Sequence, residues 1–494
     1  MARRAASLGG RVRVEDLPEI ASLRAIDVAE AFRDEPGMAL LESARPGRNA
    51  RWTFLTADPV AVLEAPSPGG DPFAVARRLL ARLDSASAPG PADGEGDLPP
   101  FLGGLVGYLA YDLGHELERL PTIASDDQGL PRLHLALYDW VVAWDRRTGA
   151  AWLAGRALDG DSSRLDRRLA EVLERIRRPR SRPEPGERYA DVDAPEAAPL
   201  EFTSSLDRAA YEDGVERIRD RVARGDIYQA NLTRRLEAPF RGDPWPLYRR
   251  LRTGDPSLFS AYLGLGRGQA IMSASPEPFL STDRFGNVAS DPIKGTRPRG
   301  RTRAEDRALA RELLSSAKDR AENVMIVDVL RNDLGRVCRP GSVRVPRLCR
   351  LERTAAVQHL VSTVTGQLAP GQDAFSLVAA SFPGGSITGA PKIRAMEILE
   401  ELEPVRRGPY TGALGWWGPD GAMATSILIR TFVADGRRLT LHVGGGITYR
   451  SDPAEEWNET VAKASGPLGA IGAREVASVD TSKERSERVG AAGE

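Results

Sequence analysis

The order in which strand-like and helix-like runs follow one another constrains this chain most. Residues 135–144 are rich in aromatic and β-branched side chains and predict a strand, and 72–83 predict a short helix. Farther on, 206–224 predict a helix with Tyr211, Val215, Ile218 and Val222 on one face. A strand over 227–236, a long helix over 302–330, a strand over 354–364 and a helix over 391–402 follow. Strands over 424–433 and 438–443 precede a helix over 453–468, with Asp452 as its N-cap and Pro453 in its first turn. This mixed order has no steady βαβ rhythm, so the pattern predicts an α+β fold and not a doubly wound sheet.

At 494 residues the chain is long enough for two domains or one large composite fold. Residues 85–99 read as a surface loop, and 178–200, where Pro, Arg and Glu displace apolar residues, as a linker. These breaks divide the chain into 1–177, 201–472 and a polar tail over 473–494, predicted to be disordered. With 68 basic and 69 acidic residues the net charge is −1, which argues against nucleic acid or an anionic membrane as the partner. No apolar stretch reaches the length of a membrane span. Cys338 and Cys349 form no disulfide framework, and as reduced, structural thiols they fit a cytoplasmic protein.

Chemistry-bearing residues concentrate in the second segment. Lys294 stands in Pro292-Ile-Lys-Gly-Thr296, between an apolar residue and a glycine. Burial of a lysine favours the neutral, nucleophilic amine; read alone, the segment is an ordinary loop lysine by default. Asp319 and Glu322 are three apart on one predicted helix, and Glu456 and Glu459 three apart on another, so each pair shares a face. If the faces meet, four hard oxygen donors without Cys or His suit Mg²⁺; if not, they are two solvated acidic faces. Lys463 follows Glu459 by one turn. Gly444, Gly445 and Gly446 form either a plain turn or a backbone that approaches an anion closely. Arg430, in an apolar strand pattern, either meets solvent or pairs with an anion. His359 is either a core histidine or an acid–base group. Together these groups would suit a small dicarboxylate held by a metal and by cations.

Several stretches carry a resemblance beyond this. They are Pro292-Ile-Lys-Gly-Thr296, Lys318-Asp-Arg-Ala-Glu-Asn323, Arg331-Asn-Asp333, His359-Leu-Val-Ser362, Phe382-Pro-Gly-Gly-Ser-Ile-Thr-Gly-Ala-Pro-Lys392, Gly444-Gly-Gly446 and Glu456-Trp-Asn-Glu-Thr460. In this order they resemble the chorismate-utilising enzymes over about residues 25–470, and most of all the component I type of aminodeoxychorismate synthases. The resemblance implies stacked antiparallel sheets flanked by helices. It implies an enzyme that converts chorismate and ammonia to 4-amino-4-deoxychorismate for p-aminobenzoate and folate synthesis. The ammonia would come from a separate glutamine amidotransferase, since the chain has no recognisable glutaminase region.

Residue by residue, Lys294 resembles the lysine that attacks ring carbon C2, where anthranilate synthases carry alanine. Glu277 resembles a catalytic carboxylate and His359 the histidine near the leaving group. Gly295, Thr296, Tyr410, Arg430, Gly444, Gly445, Gly446 and Lys463 resemble substrate contacts. Glu322 and Glu459 resemble Mg²⁺ ligands, with Asp319 and Glu456 as acidic neighbours. Ser43 is similar to a residue of a structural tryptophan site, while Phe259-Ser-Ala261 departs from the Pro-Tyr-Met of tryptophan-inhibited anthranilate synthases. Ala424 stands where the family usually has aspartate, which leaves the support of Arg430 open. Anthranilate synthesis, another chorismate amination, or a chorismate-binding subunit without catalysis are the competing readings.

Overall fold

Two runs that predict single strands are each divided between two sheets. The run 135–144 becomes Leu133–Tyr138 and Trp140–Asp145, and 424–433 becomes Met423–Ile427 and Thr431–Asp435. In each case one half pairs in one sheet and the other half in the second. The computed structural model describes residues 5–8, 11–45, 50–68, 70–85, 98–178, 199–354 and 357–477. Among these, the strands form sheets of 14 and 10 strands, nearly all antiparallel, with helices outside them. Most of the predicted linker 178–200, and most of 85–99 and of 473–494, lies outside the described residues.

Both chain segments build both sheets. In the larger sheet the two segments join where Ala39–Glu42 pairs with Phe259–Gly266. In the smaller they join where Gly104–Leu109 pairs with Ala413–Trp417. Arg474–Glu475 pairs in parallel with Glu201–Ser204, so the tail predicted from 473 begins as an ordered strand.

The period-2 alternation of the strands sorts side chains into layers. Between the sheets lie Val106, Tyr108, Ala136 and Leu414 from one, and Ala143, Ala154, Leu263 and Ile271 from the other. Outside the larger sheet, Leu165 and Leu169 of helix Ser162–Arg177 cover strand Ala151–Arg156, and Ala464 and Leu468 of helix Pro453–Ala470 cover strand Arg438–Ile447. Outside the smaller, Ile326, Val327 and Leu330 of helix Ala317–Gly335 pack against Phe279 and Ile427. Burying such faces, at roughly 25 cal/mol per Å² of apolar surface, is the main favourable term. No helix among the described residues is long and apolar enough to cross a membrane.

The helix predicted over 302–330 is two, Arg303–Ser315 and Ala317–Gly335. Ser316 ends the first in an extended conformation, and its side chain accepts the Asp319 amide to cap the second. Helix Pro453–Ala470 starts as predicted, with the Asp452 side chain accepting the Glu455 amide. Strand Arg438–Ile447 runs four residues further than the glycine-free pattern suggests, because the glycines and Ile447 pair with strand Gln229–Pro239.

One buried ion pair ties these parts together. Arg407 donates to both oxygens of Glu403, at 2.8 and 2.7 Å, and to the carbonyls of Ile387 at 2.9 Å and Asn231 at 2.6 Å. Glu403 also accepts the Thr233 amide at 3.0 Å. Arg407 is 1% exposed. Removing one partner of such a pair strands the other charge in the interior and costs about 3–5 kcal/mol. Arg407→Met should lower unfolding stability by about that much, read as an earlier urea transition. Adding Glu403→Met should recover part of the loss.

Candidate active site

Two adjacent strand pairs pass together from the larger sheet to the smaller. Gln269–Ser275 continues into Pro278–Thr282, and Thr431–Asp435 is preceded by Met423–Ile427; the two routes are neighbours in both sheets. At the crossing the sheet ladders stop and the backbones satisfy each other. Ala274 N–H donates to Arg430 O at 3.1 Å, Ile427 N–H to Glu277 O at 3.1 Å, and Ser275 Oγ to Ile427 O at 2.6 Å. Glu277 lies between Pro276 and Pro278, which have no amide to extend a ladder. Arg430 sits at φ 50, in the left-handed region. That conformation costs a branched or long side chain on the order of 1–2 kcal/mol, and it turns Arg430 out of the strand path that the sequence suggests.

Both crossing residues face a cavity of about 500 Å³ between the sheets. It is lined by Lys294, Glu277, His359, Gly295, Thr296, Tyr410, Arg430, Gly444, Gly446 and Lys463. Asp319, Glu322, Glu456 and Glu459 line it as well, so the two acidic helix faces do meet. Gly445 points away: a side chain there would meet the Glu456 carboxylate at 2.9 Å. Ser43 lies elsewhere, in a cleft of about 250 Å³ with Arg146 and Arg252, and its Oγ donates to Trp52 O at 3.3 Å.

Lys294 is aimed by a bulge. In strand Ile293–Pro298 the pairing with Val357–Gln367 slips between Lys294 and Thr296. Gly295 takes φ 78 there, and a Cβ would stand 2.9 Å from that of Asp319, so only glycine lets strand and helix approach this closely. Lys294 Nζ donates to Ser386 O at 3.0 Å. Ser386 belongs to the turn Gly385–Thr388, anchored by Lys392, whose Nζ donates to Asp333 at 2.9 Å and to Ser381 O at 2.8 Å. Beyond the bulge, Thr296 Oγ1 and His359 Nδ1 share a hydrogen bond of 2.9 Å.

Charge is distributed unevenly around the cavity. Burial raises the Glu277 carboxyl above the usual range, against the pull of Lys294. Burial also raises Glu322, with Asp319 and Glu459 adding to it and Lys294 and Lys318 opposing; Glu322 Oε1 is buried without a partner. Glu456 is raised by burial, against a hydrogen bond from Ser451. Burial acts the same way on Glu459, but the bond and charge of Lys463, with Lys318 and Lys294, bring it below the usual range. Lys463 spans the site, donating to Glu459 at 2.7 Å and to Gly444 O at 2.8 Å. Burial, then Arg430 and Arg45, lower His359 to about 4, so its ring is neutral near pH 7.

Several lining residues escaped the sequence reading: Asn231, Arg297, Lys318, Ser386 and His442. Of these, His442 had a signal, since it alternates with Leu441 and Val443 and so shares a face with Gly444. The carboxylate beside Arg430 is Asp255, at 3.5 Å, at the end of helix Pro244–Gly254. Ala424 instead lies in strand Met423–Ile427, paired with Trp416.

A small polar cavity with paired carboxylates, cations and a lysine can hold a dicarboxylate and attack it. Residues 39–469 match the model of the family described as chorismate binding enzyme. The chain is 40% identical to anthranilate synthase component 1 of Streptomyces coelicolor, over 90% of this chain and 85% of that protein. It is also 40% identical to aminodeoxychorismate synthase component 1 of Klebsiella aerogenes, over 80% of this chain and 82% of that one. A crystal structure of anthranilate synthase component I from Streptococcus pneumoniae superposes with a TM-score of 0.73 at 32% identity, covering 86% of this chain and 93% of that one. The chain belongs to the chorismate-binding enzymes.

Proposed function

We propose that the chain is the component I of an aminodeoxychorismate synthase, which aminates chorismate at C4 and keeps the enolpyruvyl group. Relatives with both this name and that of anthranilate synthase match at 40% identity, so overall likeness does not separate the two activities. The observation that carries the reading is Lys294: a primary amine on the cavity wall, 3.0 Å from Ser386 O and within the charge field of Glu277 and Glu322. Anthranilate formation requires no such nucleophile.

In this reading the neutral Lys294 amine forms a bond to ring carbon C2. Both ring double bonds shift along the ring toward C4, and the C4 hydroxyl leaves with a proton from Glu277 as water. Ammonia then bonds to C4 and gives its surplus proton back to Glu277, both double bonds shift back, and Lys294 departs from C2 with its electron pair. The sum is chorismate and ammonia to 4-amino-4-deoxychorismate and water. The burial that raises Glu277 keeps a proton available to the leaving hydroxyl. Arg430, Lys463 and the Gly444 and Gly446 backbone would orient the two carboxylates. Ammonia would come from a glutamine amidotransferase partner or from solution.

Magnesium fits the acidic end. Among the described residues, no three His, Cys, Asp or Glu side chains stand together as a ready cage. Glu322 and Glu459 nevertheless line one wall, and the buried Glu322 Oε1 has no protein partner. Two carboxylates completed by substrate oxygens and water suit this ion. When bound, it would neutralise the ring carboxylate and draw charge from the diene.

Purified protein with chorismate, Mg²⁺ and ammonium should give a C4-aminated product that retains the enolpyruvyl group, read by mass spectrometry. Anthranilate and pyruvate would refute the reading. Lys294→Ala should make no C4-aminated product, and Glu277→Gln should lower kcat by about 10²–10⁴-fold. Glu459→Gln should need more Mg²⁺ for half-maximal activity than the wild type, as magnesium titration would record. The lowered His359 gives a separate test of the site's electrostatics. An unfolded chain takes up this proton near pH 6.5 but the folded one only near 4, so stability is full above about 6.5 and is lost as pH falls through that window. His359→Gln should therefore lose less in Tm between pH 7 and pH 5 than the wild type.

A further inference from the structure

The inner face of strand Arg438–Ile447 carries a group that neither the fold nor the amination steps use. His442 is 3% exposed, and neither ring nitrogen has a hydrogen-bond partner. Its ring stacks on Tyr410, with centroids 5.0 Å and planes 22° apart. Both side chains line the catalytic cavity, and His442 stands two residues before Gly444 on the same strand face. A buried polar group without a partner is destabilising, so an imidazole with two unmet nitrogens on a cavity wall points to a partner that arrives with the ligand.

The neighbours define that partner. Across the ladder, Arg235 is held by Asp127 at 2.7 and 2.6 Å, and nearby Arg407 is held by Glu403. Burial first, and then these two cations, push the ring's proton affinity far below the usual value, while Asp127 opposes them. A neutral imidazole offers one donor and one acceptor. It complements a group that also donates and accepts, a hydroxyl or an amine, whereas carboxylates find cations at Arg430 and Lys463.

We propose that His442 is a substrate-facing residue that receives the ring hydroxyl of the bound molecule, or the amine that replaces it, and discriminates ring substituents there. The proposal rests on the reading that the cavity takes chorismate, whose only ring hydroxyl is the one at C4.

The test is a ligand-by-residue cycle. Dissociation constants are measured by calorimetry with Mg²⁺ for chorismate and for an analogue lacking the ring hydroxyl. They are taken on the full chain, His442→Phe, which keeps a ring against Tyr410, and His442→Gln, which keeps a donor and an acceptor. The wild type should prefer chorismate by about tenfold or more, the effect of one buried hydrogen bond. His442→Phe should lose that preference while melting at or above the wild-type temperature, and His442→Gln should keep most of it. A structural role would shift both ligands equally, so an unchanged preference in His442→Phe overturns the proposal. If His442→Phe does not fold, His442→Leu is judged by the same criterion. Failure of the wild type to bind chorismate at all would overturn the proposed function itself, and this inference with it.

Discussion

Two adjacent chain routes leave one sheet and enter the other at the same place, and the site depends on that shared crossing. A strand that leaves a sheet abandons its ladder, and a lone crossing would leave amides and carbonyls unpaired in the interior. Here the routes are paired before and after the crossing, and within it Ala274, Arg430, Ile427 and Glu277 exchange backbone hydrogen bonds. The crossing is therefore rigid without being regular. Side chains there are released from strict alternation, which lets Glu277 and Arg430 face one cavity from neighbouring chains.

The fold was legible in its class and less so in its connections. Apolar periodicity located the helices 206–224 and 453–468 to within two residues of Arg208–Ala223 and Pro453–Ala470, because their buried faces and Asp452 cap are local signals. The runs 135–144 and 424–433 misled for one reason: the first is buried throughout and the second at all but Ala424, Ile429 and Arg430, so their apolar residues do not mark the change of sheet. The one mark in the first is Asp139, a buried carboxylate 3.6 Å from both Arg164 and Arg168, and in the second it is Arg430. A charged residue inside an apolar run is then the sign of a crossing, where the ladder ends and a polar side chain can find partners.

The site was legible where the chemistry sits on helices. Spacing three places Asp319 with Glu322 and Glu456 with Glu459, and tertiary packing brings the two faces to one cavity. It was less legible on strands. Three glycines suggest a turn, yet they complete a ladder in which Gly444, Gly445 and Gly446 oppose Thr233, Leu232 and Asn231. Reading that ladder by twos sends Gly444, Gly446 and His442 inward and Leu441 to the helix layer. Asp255 had no sequence signal, since its approach to Arg430 depends on how helix Pro244–Gly254 ends.

The charges around the cavity bear on what can enter it together. Five carboxylates, Glu277, Asp319, Glu322, Glu456 and Glu459, face five cations, Lys294, Arg297, Lys318, Arg430 and Lys463. Much of this charge is already committed: Lys463 to Glu459 at 2.7 Å, Arg297 to Asp319 at 3.2 Å, Arg430 to Asp255 at 3.5 Å. A ligand with two carboxylates would add two negative charges to a balanced, partly desolvated wall, where unneutralised charge is costly. A divalent cation entering with it restores the balance. On the proposed reading, substrate and Mg²⁺ thus favour each other's binding. The gain falls mainly at Glu322, whose carboxyl is raised by burial and whose buried Oε1 has no protein partner. By linkage the coupling is reciprocal, so chorismate should raise the affinity for magnesium by the same factor as magnesium raises that for chorismate.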